Sequence, residues 1–205
     1  SASFVVVAAS SGACCLPILV VDFVQPAAAL STSFLKRNPL SIRIQVPMQP
    51  LVIHIILDSI RSAHNVGSIF RTADACGVSK IYIAGHSAPP IDRFGRPDKT
   101  LAKTALGAET QIPWESAPDI VALIEKLKGE GVEVVALEQS PRSIDYKMFV
   151  PDGAVALILG NEVDGVSSEV LSMCDAVIEI PMRGSKESLN VSVAAGIALS
   201  RLVGL

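Results

Sequence analysis

The sequence predicts an α/β domain with an open, doubly wound, mostly parallel sheet over residues 48–205. Two observations carry this. Short runs rich in Val, Ile and Leu alternate with stretches of helical periodicity from Leu51 onward. Three of those runs, VEVVALE (132–138), AVALILG (154–160) and DAVIEIPM (175–182), are nearly continuous in apolar residues, the pattern of strands covered on both faces.

The elements follow in order. LVIHIIL (51–57) is a β-rich run, followed by the polar turn DSIRSAH and a helical stretch from Asn65 to Ala75 that Gly77 stops. SKIYIAG (79–85) is the second strand. A long loop rich in Pro, Gly and charge, HSAPPIDRFGRPDK, leads to a short helix near Thr100–Leu106. Ala117–Lys128 carries Ile120, Val121, Leu123, Ile124 and Leu127 on one face and is closed by Gly129 and Gly131. The last three strands come next, and a helix from about Ser188 to Leu202 ends the chain. Its amphipathic face (Val193, Ile197, Leu199, Leu202) suits either its own sheet or a second subunit.

Residues 1–47 read differently: apolar and small, without helical periodicity or a basic start. Pro17 and Asp22 interrupt the run, which argues against a signal or membrane segment. This part is expected to lie outside the catalytic fold, with Met48 as the expected true start.

Composition narrows the function. Of 205 residues, 50% are hydrophobic and 18% charged, the balance of a folded core. Aromatics make up 4%, which argues against the extended base-stacking platforms of single-strand binders. The net charge of −3 is uneven. Residues 1–50 carry Lys36, Arg37 and Arg43 against Asp22, a net +2, which leaves −5 for the rest. An acidic domain binds nucleic acid only through a local basic patch. Cys14, Cys15, Cys76 and Cys174 form no C-x-x-C pair and have no His at ligand spacing, so no metal site is expected. Cys76 and Cys174 read as small buried apolar residues in a reducing cytoplasm.

Ligands of such sheets sit beyond the carboxyl ends of the strands. Three segments there are unusual: SAHNVGSIFRTADACG (62–77), LGNEVDGVSSEV (159–170) and PMRGSKESLNVSVAAG (181–196). GNEVDG is not a dinucleotide fingerprint, because Glu162 stands where a glycine must meet a pyrophosphate. No phosphate-binding G-x-x-x-x-G-K-[ST] loop is present either, which disfavours a nucleoside triphosphate, while Glu162 and the missing glycine fingerprint argue against a nicotinamide oxidoreductase. Gly160 and Gly165 allow close backbone approach, and a ligand with a positive centre suits these loops better. Ser188 is read as the N-cap of the last helix, either as a plain cap or as part of an anion-binding end. Glu162 is either a site carboxylate or a solvated charge.

N-V-G-S-I-F-R-T-A (65–73), L-G-N-E-V-D-G-V (159–166) and I-P-M-R-G-S-K-E-S-L-N-V-S-V-A (180–194) resemble, in order, the three signature motifs of the SpoU (TrmH) family of RNA 2′-O-ribose methyltransferases, of the SPOUT class. The resemblance covers 51–205. It implies a C-terminal trefoil knot, S-adenosylmethionine as cofactor, a homodimer, and a structured tRNA or rRNA as substrate. It also implies that Leu137, Gly160, Ile180, Met182 and Leu189 hold the cofactor. By the same match Asn65, Arg71, Glu162, Ser188 and Asn190 occupy catalytic and substrate positions. Arginine is a poor base, so Arg71 is read as holding a phosphate and polarising the 2′-hydroxyl, with or without taking its proton. Asn65 and Arg71 lie on nearly opposite faces of one helix, and their convergence rests on the resemblance alone. His64 is the rival base, while His54 and His86 gather no acidic neighbours in the sequence.

The candidate RNA footprint is Arg61, Arg71, Arg93, Arg96, Lys99, Lys103, Arg183 and Lys186. DNA lacks the 2′-hydroxyl and is not expected to react. No membrane partner is expected. A non-catalytic RNA-binding module of the same fold and a methyltransferase with a non-RNA acceptor are the competing readings.

Overall fold

The strands form because β-branched and Leu-rich runs find cover on both sides. The computed structural model describes Phe4–Val5, Val20–Val21 and residues 51–205. The chain divides into two units, Ser1–Pro50 and Leu51–Leu205. In the first, β1 (Phe4–Val5) pairs antiparallel with β2 (Val20–Val21), Phe4 opposite Val21. The expectations for the rest of 1–47 and for Met48 lie outside the described residues.

The second unit holds seven strands: β3 (Ile53–Asp58), β4 (Lys80–Ala84), β5 (Trp114–Ala117), β6 (Glu133–Leu137), β7 (Ile144–Asp145), β8 (Val155–Leu159) and β9 (Ala176–Glu179). They make one sheet in the order β5-β4-β3-β8-β6-β9-β7, and every pairing is parallel. The sheet is thus wholly rather than mostly parallel. The chain runs outward from β3 to β5, crosses to β6 on the other side, and then inserts β8 between β3 and β6.

Alternate residues feed two apolar layers. Ile53, Ile55 and Leu57 of β3 and Leu157 of β8 pack with helices α1 (Ala63–Ala75), α2 (Lys99–Ala105) and α6 (Val191–Val203). On the other face Ile56, Ala156, Ile158, Val134 and Ala136 meet α4 (Ile120–Gly129) and α5 (Ser168–Met173). A short helix, α3 (Ala108–Gln111), completes the set.

Caps set most helix starts. Ser62 Oγ accepts the Asn65 N–H, so α1 begins two residues before Asn65; Gly77 at φ +68° follows its end. Asp119 accepts from Ala122 N–H and starts α4 at Ile120, three residues later than expected, because Ala117 belongs to β5. The cap of α6 is Asn190, not Ser188: its side chain accepts the Ser192 N–H at 2.9 Å. α6 packs on its own domain through Ala195, Ala198 and Leu199, and Val193 stays half exposed. Among the described residues no helix is long and apolar enough to cross a membrane.

Candidate active site

β8 ends at Leu159, and the chain turns sharply at Gly160. A Cβ on Gly160 would collide with the backbone of Gly165 and Val166, so only glycine lets the segment fold back on itself. Asn161 and Gly165 exchange backbone hydrogen bonds of 3.2 and 3.0 Å. Within the turn, Asn161 Oδ1 accepts the N–H groups of Val163 and Asp164. Its Nδ2 donates to the carbonyl of Ser59 at 2.8 Å, which ties the loop to the β3–α1 connection. Ser59 itself sits at φ +57°, an uncommon conformation for a side-chain-bearing residue, at the carboxyl end of β3. Beside it, burial pushes the Asp58 carboxyl above its usual range, and the Ser59 hydroxyl donates to it at 3.1 Å.

One residue from each of the three motifs meets here. Asn190 Nδ2 donates to Asn65 Oδ1 at 3.0 Å, and Asn65 Nδ2 donates to Glu162 Oε1 at 2.9 Å. Asn190 Oδ1 accepts both the N–H and the hydroxyl of Ser192, at 2.9 and 2.6 Å. The amide groups alternate donor and acceptor along the chain, so each fixes the next.

Behind this chain of bonds lies a cavity of about 520 Å³. Leu137, Gly160, Ile180, Met182 and Leu189 all line it, together with Glu162, Ser188 and Asn190. So do Glu138, Gln139, Glu179 and Asp164, which sequence reasoning missed. Glu138 accepts the Val166 N–H on Oε2 and the Gln139 N–H on Oε1, each at 2.9 Å. Gln139 Nε2 donates to the Glu187 carbonyl at 2.7 Å, linking the β6–β7 loop to the segment before α6. Ser143 donates to Glu179. The available signal for Glu138 was its place, one residue past the carboxyl end of β6. Among the described residues four carboxylates line the cavity, and no Lys, Arg or His does.

Arg71 is not in this cavity. It is exposed on α1 and lines a separate depression of about 320 Å³ with Asp74, Leu106, Gly107 and Gln111. Within one chain, therefore, Asn65 and Arg71 do not converge. Arg61 lines a third depression, of about 560 Å³, with Ser62, Asn65 and Glu162; Glu162 lines the main cavity too, and Asn65 does not. Arg93, Lys99, Lys103, Arg183 and Lys186 are exposed, and Arg96 is paired with Asp92 at 2.8 Å. His64 and His86 are exposed and outside the cavity. His54 is half buried in β3 with its ring edge-on to Tyr82; burial, then the Lys80 charge, hold its pKa below the usual value.

Comparison with known proteins gives the lineage. Residues 52–200 match the model of the SpoU rRNA Methylase family. A 23S rRNA (guanosine-2′-O-)-methyltransferase, RlmB, of Neisseria meningitidis serogroup B is 36% identical over 146 residues, 71% of this chain and 56% of that protein. The chain thus spans a little over half the length of that relative. Among solved structures, an AdoMet-bound rRNA methyltransferase from Sinorhizobium meliloti superposes with TM-score 0.67 at 32% identity, covering 75% of this chain and 56% of that one. The TrmH/SpoU tRNA modifying enzyme of A. aeolicus gives TM-score 0.66 at 29% identity, over 76% and 75%. With its motifs joined by hydrogen bonds around one cavity and its sequence matched from 52 to 200, this chain belongs to the SpoU rRNA methylase family.

Proposed function

We propose that residues 48–205 form an RNA (ribose-2′-O-)-methyltransferase that uses S-adenosylmethionine and acts on a tRNA or rRNA. The observation that carries this reading is the cavity wall, which among the described residues has four carboxylates and no cationic side chain. Such a wall repels a phosphate-bearing cofactor and attracts a ligand with a positive centre. Its volume is in the range of small-molecule sites, about 300–1,000 Å³.

The residues fit that cofactor. Leu137, Ile180, Met182 and Leu189 offer apolar wall for a flat ring, Gly160 offers backbone without a side chain, and the carboxylates offer counter-charge. S-adenosylmethionine bound there supplies a methyl group on a sulfonium, an electrophile for a ribose oxygen. The chain's own residues do the rest. Asn65, clamped between Glu162 and Asn190, orients the ribose at the rim. Ser188 faces the same cavity as a hydrogen-bonding partner for substrate. Arg71 holds the phosphate beside the reacting ribose and polarises the 2′-hydroxyl, whose proton must leave.

Arg71 reaches no part of its own chain's cavity, and this supports a homodimer in which a second copy supplies it. The late insertion of β8 between β3 and β6, and of β9 between β6 and β7, supports the trefoil knot. Arg61, Arg93, Arg96, Lys99, Lys103, Arg183 and Lys186 position the RNA on an otherwise acidic domain. DNA is not an acceptor, no membrane is involved, and the site of action is the cytoplasm.

Methyl-labelled S-adenosylmethionine and unmodified tRNA and rRNA transcripts test the reading. Label should enter the RNA, and Arg71→Ala and Glu162→Ala should each lose activity. Mixing the two inactive variants should restore part of it, since one class of site then carries both residues. Full activity in Arg71→Ala, or no rescue on mixing, would contradict the shared site.

A further inference from the structure

Hydrogen bonds tie the long loop after β4 together. Asp92 organises it: its Oδ1 accepts the N–H groups of Phe94 and Arg96, and its Oδ2 accepts Arg96 Nε. Asp92 N–H donates to the Arg96 carbonyl, Asp98 N–H donates to the Pro90 carbonyl, and Ile91 pairs with Pro97. Gly95 at φ +77° closes the turn. None of these bonds uses the Phe94 ring, which is 66% exposed at the tip. The guanidinium carbons of Arg93 and Arg96 lie 4.8 and 5.0 Å from its centroid.

The base of the loop is fixed on the site's side of the sheet. Ser87 Oγ accepts the Ile60 N–H and donates to the Leu57 carbonyl, and Ala88 N–H donates to the Ile60 carbonyl. Arg61 follows directly, on the depression that shares the Asn65–Glu162 bond. At its other end the loop runs into α2, where Lys99 and Lys103 are exposed.

An exposed aromatic ring on a preorganised turn, bracketed by guanidinium groups and followed by lysines, matches one chemistry well. Nucleobases stack on aromatic and guanidinium planes, and their phosphates seek Arg and Lys. We propose that Phe94 is the stacking face for an unpaired base of the RNA substrate, with Arg93 and Arg96 extending the stack and Lys99 and Lys103 meeting the adjoining phosphates. This rests on the RNA-methylating reading and adds a preference for a single-stranded element near the target ribose. An exposed cation–π contact is weaker than a base stack, so an incoming base displaces or joins a guanidinium at little cost. One such ring is a local device, consistent with a chain poor in aromatics.

Fluorescence anisotropy on the full chain tests it, with a short oligoadenylate and a blunt RNA duplex of equal length as probes. The single strand should bind more tightly than the duplex. Phe94→Ala should weaken single-strand binding roughly ten- to hundredfold and leave duplex binding little changed. Phe94→Trp should restore the affinity, and Phe94→Leu should not. Unchanged binding in Phe94→Ala, or full binding in Phe94→Leu, would overturn the stacking role while leaving the methyltransferase reading intact. A wild-type chain that binds neither probe would also overturn the stacking role, and methyl transfer to a tRNA or rRNA transcript then tests separately the reading it rests on.

Discussion

Asn190 joins two tasks in one side chain. Its Oδ1 caps α6 through Ser192, and its Nδ2 holds Asn65 in place. Aspartate caps a helix as well as asparagine does, but it has no amide donor. Asn190→Asp should therefore keep the melting temperature close to wild type while methyl transfer falls by about a hundredfold through lost alignment. An equal loss of stability and activity, read by calorimetry and initial rates, would mean the residue is only a cap. Cys174 makes a purely structural case. It is buried, its thiol donates to the Val170 carbonyl at 3.2 Å, and burial pushes its pKa up to about 11. Alkylation at pH 8, followed peptide by peptide in a mass spectrometer, should spare Cys174 until the protein is unfolded. The sign of the linkage is also set. The unfolded thiol ionises first, at its ordinary value of 9.0, so this group's contribution to stability falls as pH rises from there to about 11.

At the scale of elements, α1 and α2 are packed as closely as backbone allows. A Cβ on Gly67 would run into the Leu101 carbonyl and the Thr104 hydroxyl. In an exposed helix Gly→Ala gains about 1 kcal/mol; here overpacking should reverse the sign and cost about 1–3 kcal/mol. A rise in melting temperature for Gly67→Ala would show that the two helices separate freely. The same scale explains which elements were legible. β3, β6, β8 and β9 announce themselves by apolar runs, because both faces of each are covered. β5 is an edge strand whose Glu115 and Ser116 are exposed, and β7 has two residues, so neither produces a hydrophobic signal. α5 is a six-residue helix within what read as a loop. The start of α6 was misplaced because Ser188 and Asn190 are equally good caps locally; a bond to Asn65, 125 residues away, marks the one used.

Over the whole molecule, the three motifs were legible as strings because they stand in the order of the SpoU family's signatures, and the fold does bring Asn65, Glu162 and Asn190 together. Glu138 and Gln139 were not legible: a carboxylate and an amide after a strand look like any polar loop until the end of the Gly160–Gly165 turn packs on Glu138 and the Glu187 carbonyl takes the Gln139 amide. Arg71 is the opposite case, marked by its motif yet outside its own chain's cavity. The proposed homodimer would account for this by symmetry, each copy's Arg71 serving the other copy's site. The proposed reaction is methylation at a ribose oxygen, and one measurement tests it directly. RNA labelled by the full chain with methyl-tritiated S-adenosylmethionine is hydrolysed in alkali, which cleaves only beside a free 2′-hydroxyl. The account predicts that the label is recovered in alkali-resistant dinucleotides and disappears with Arg71→Ala. Label released in mononucleotides would place the methyl group on a base, and label absent from RNA while the folded protein binds the cofactor would make the acceptor something else; either result contradicts the account.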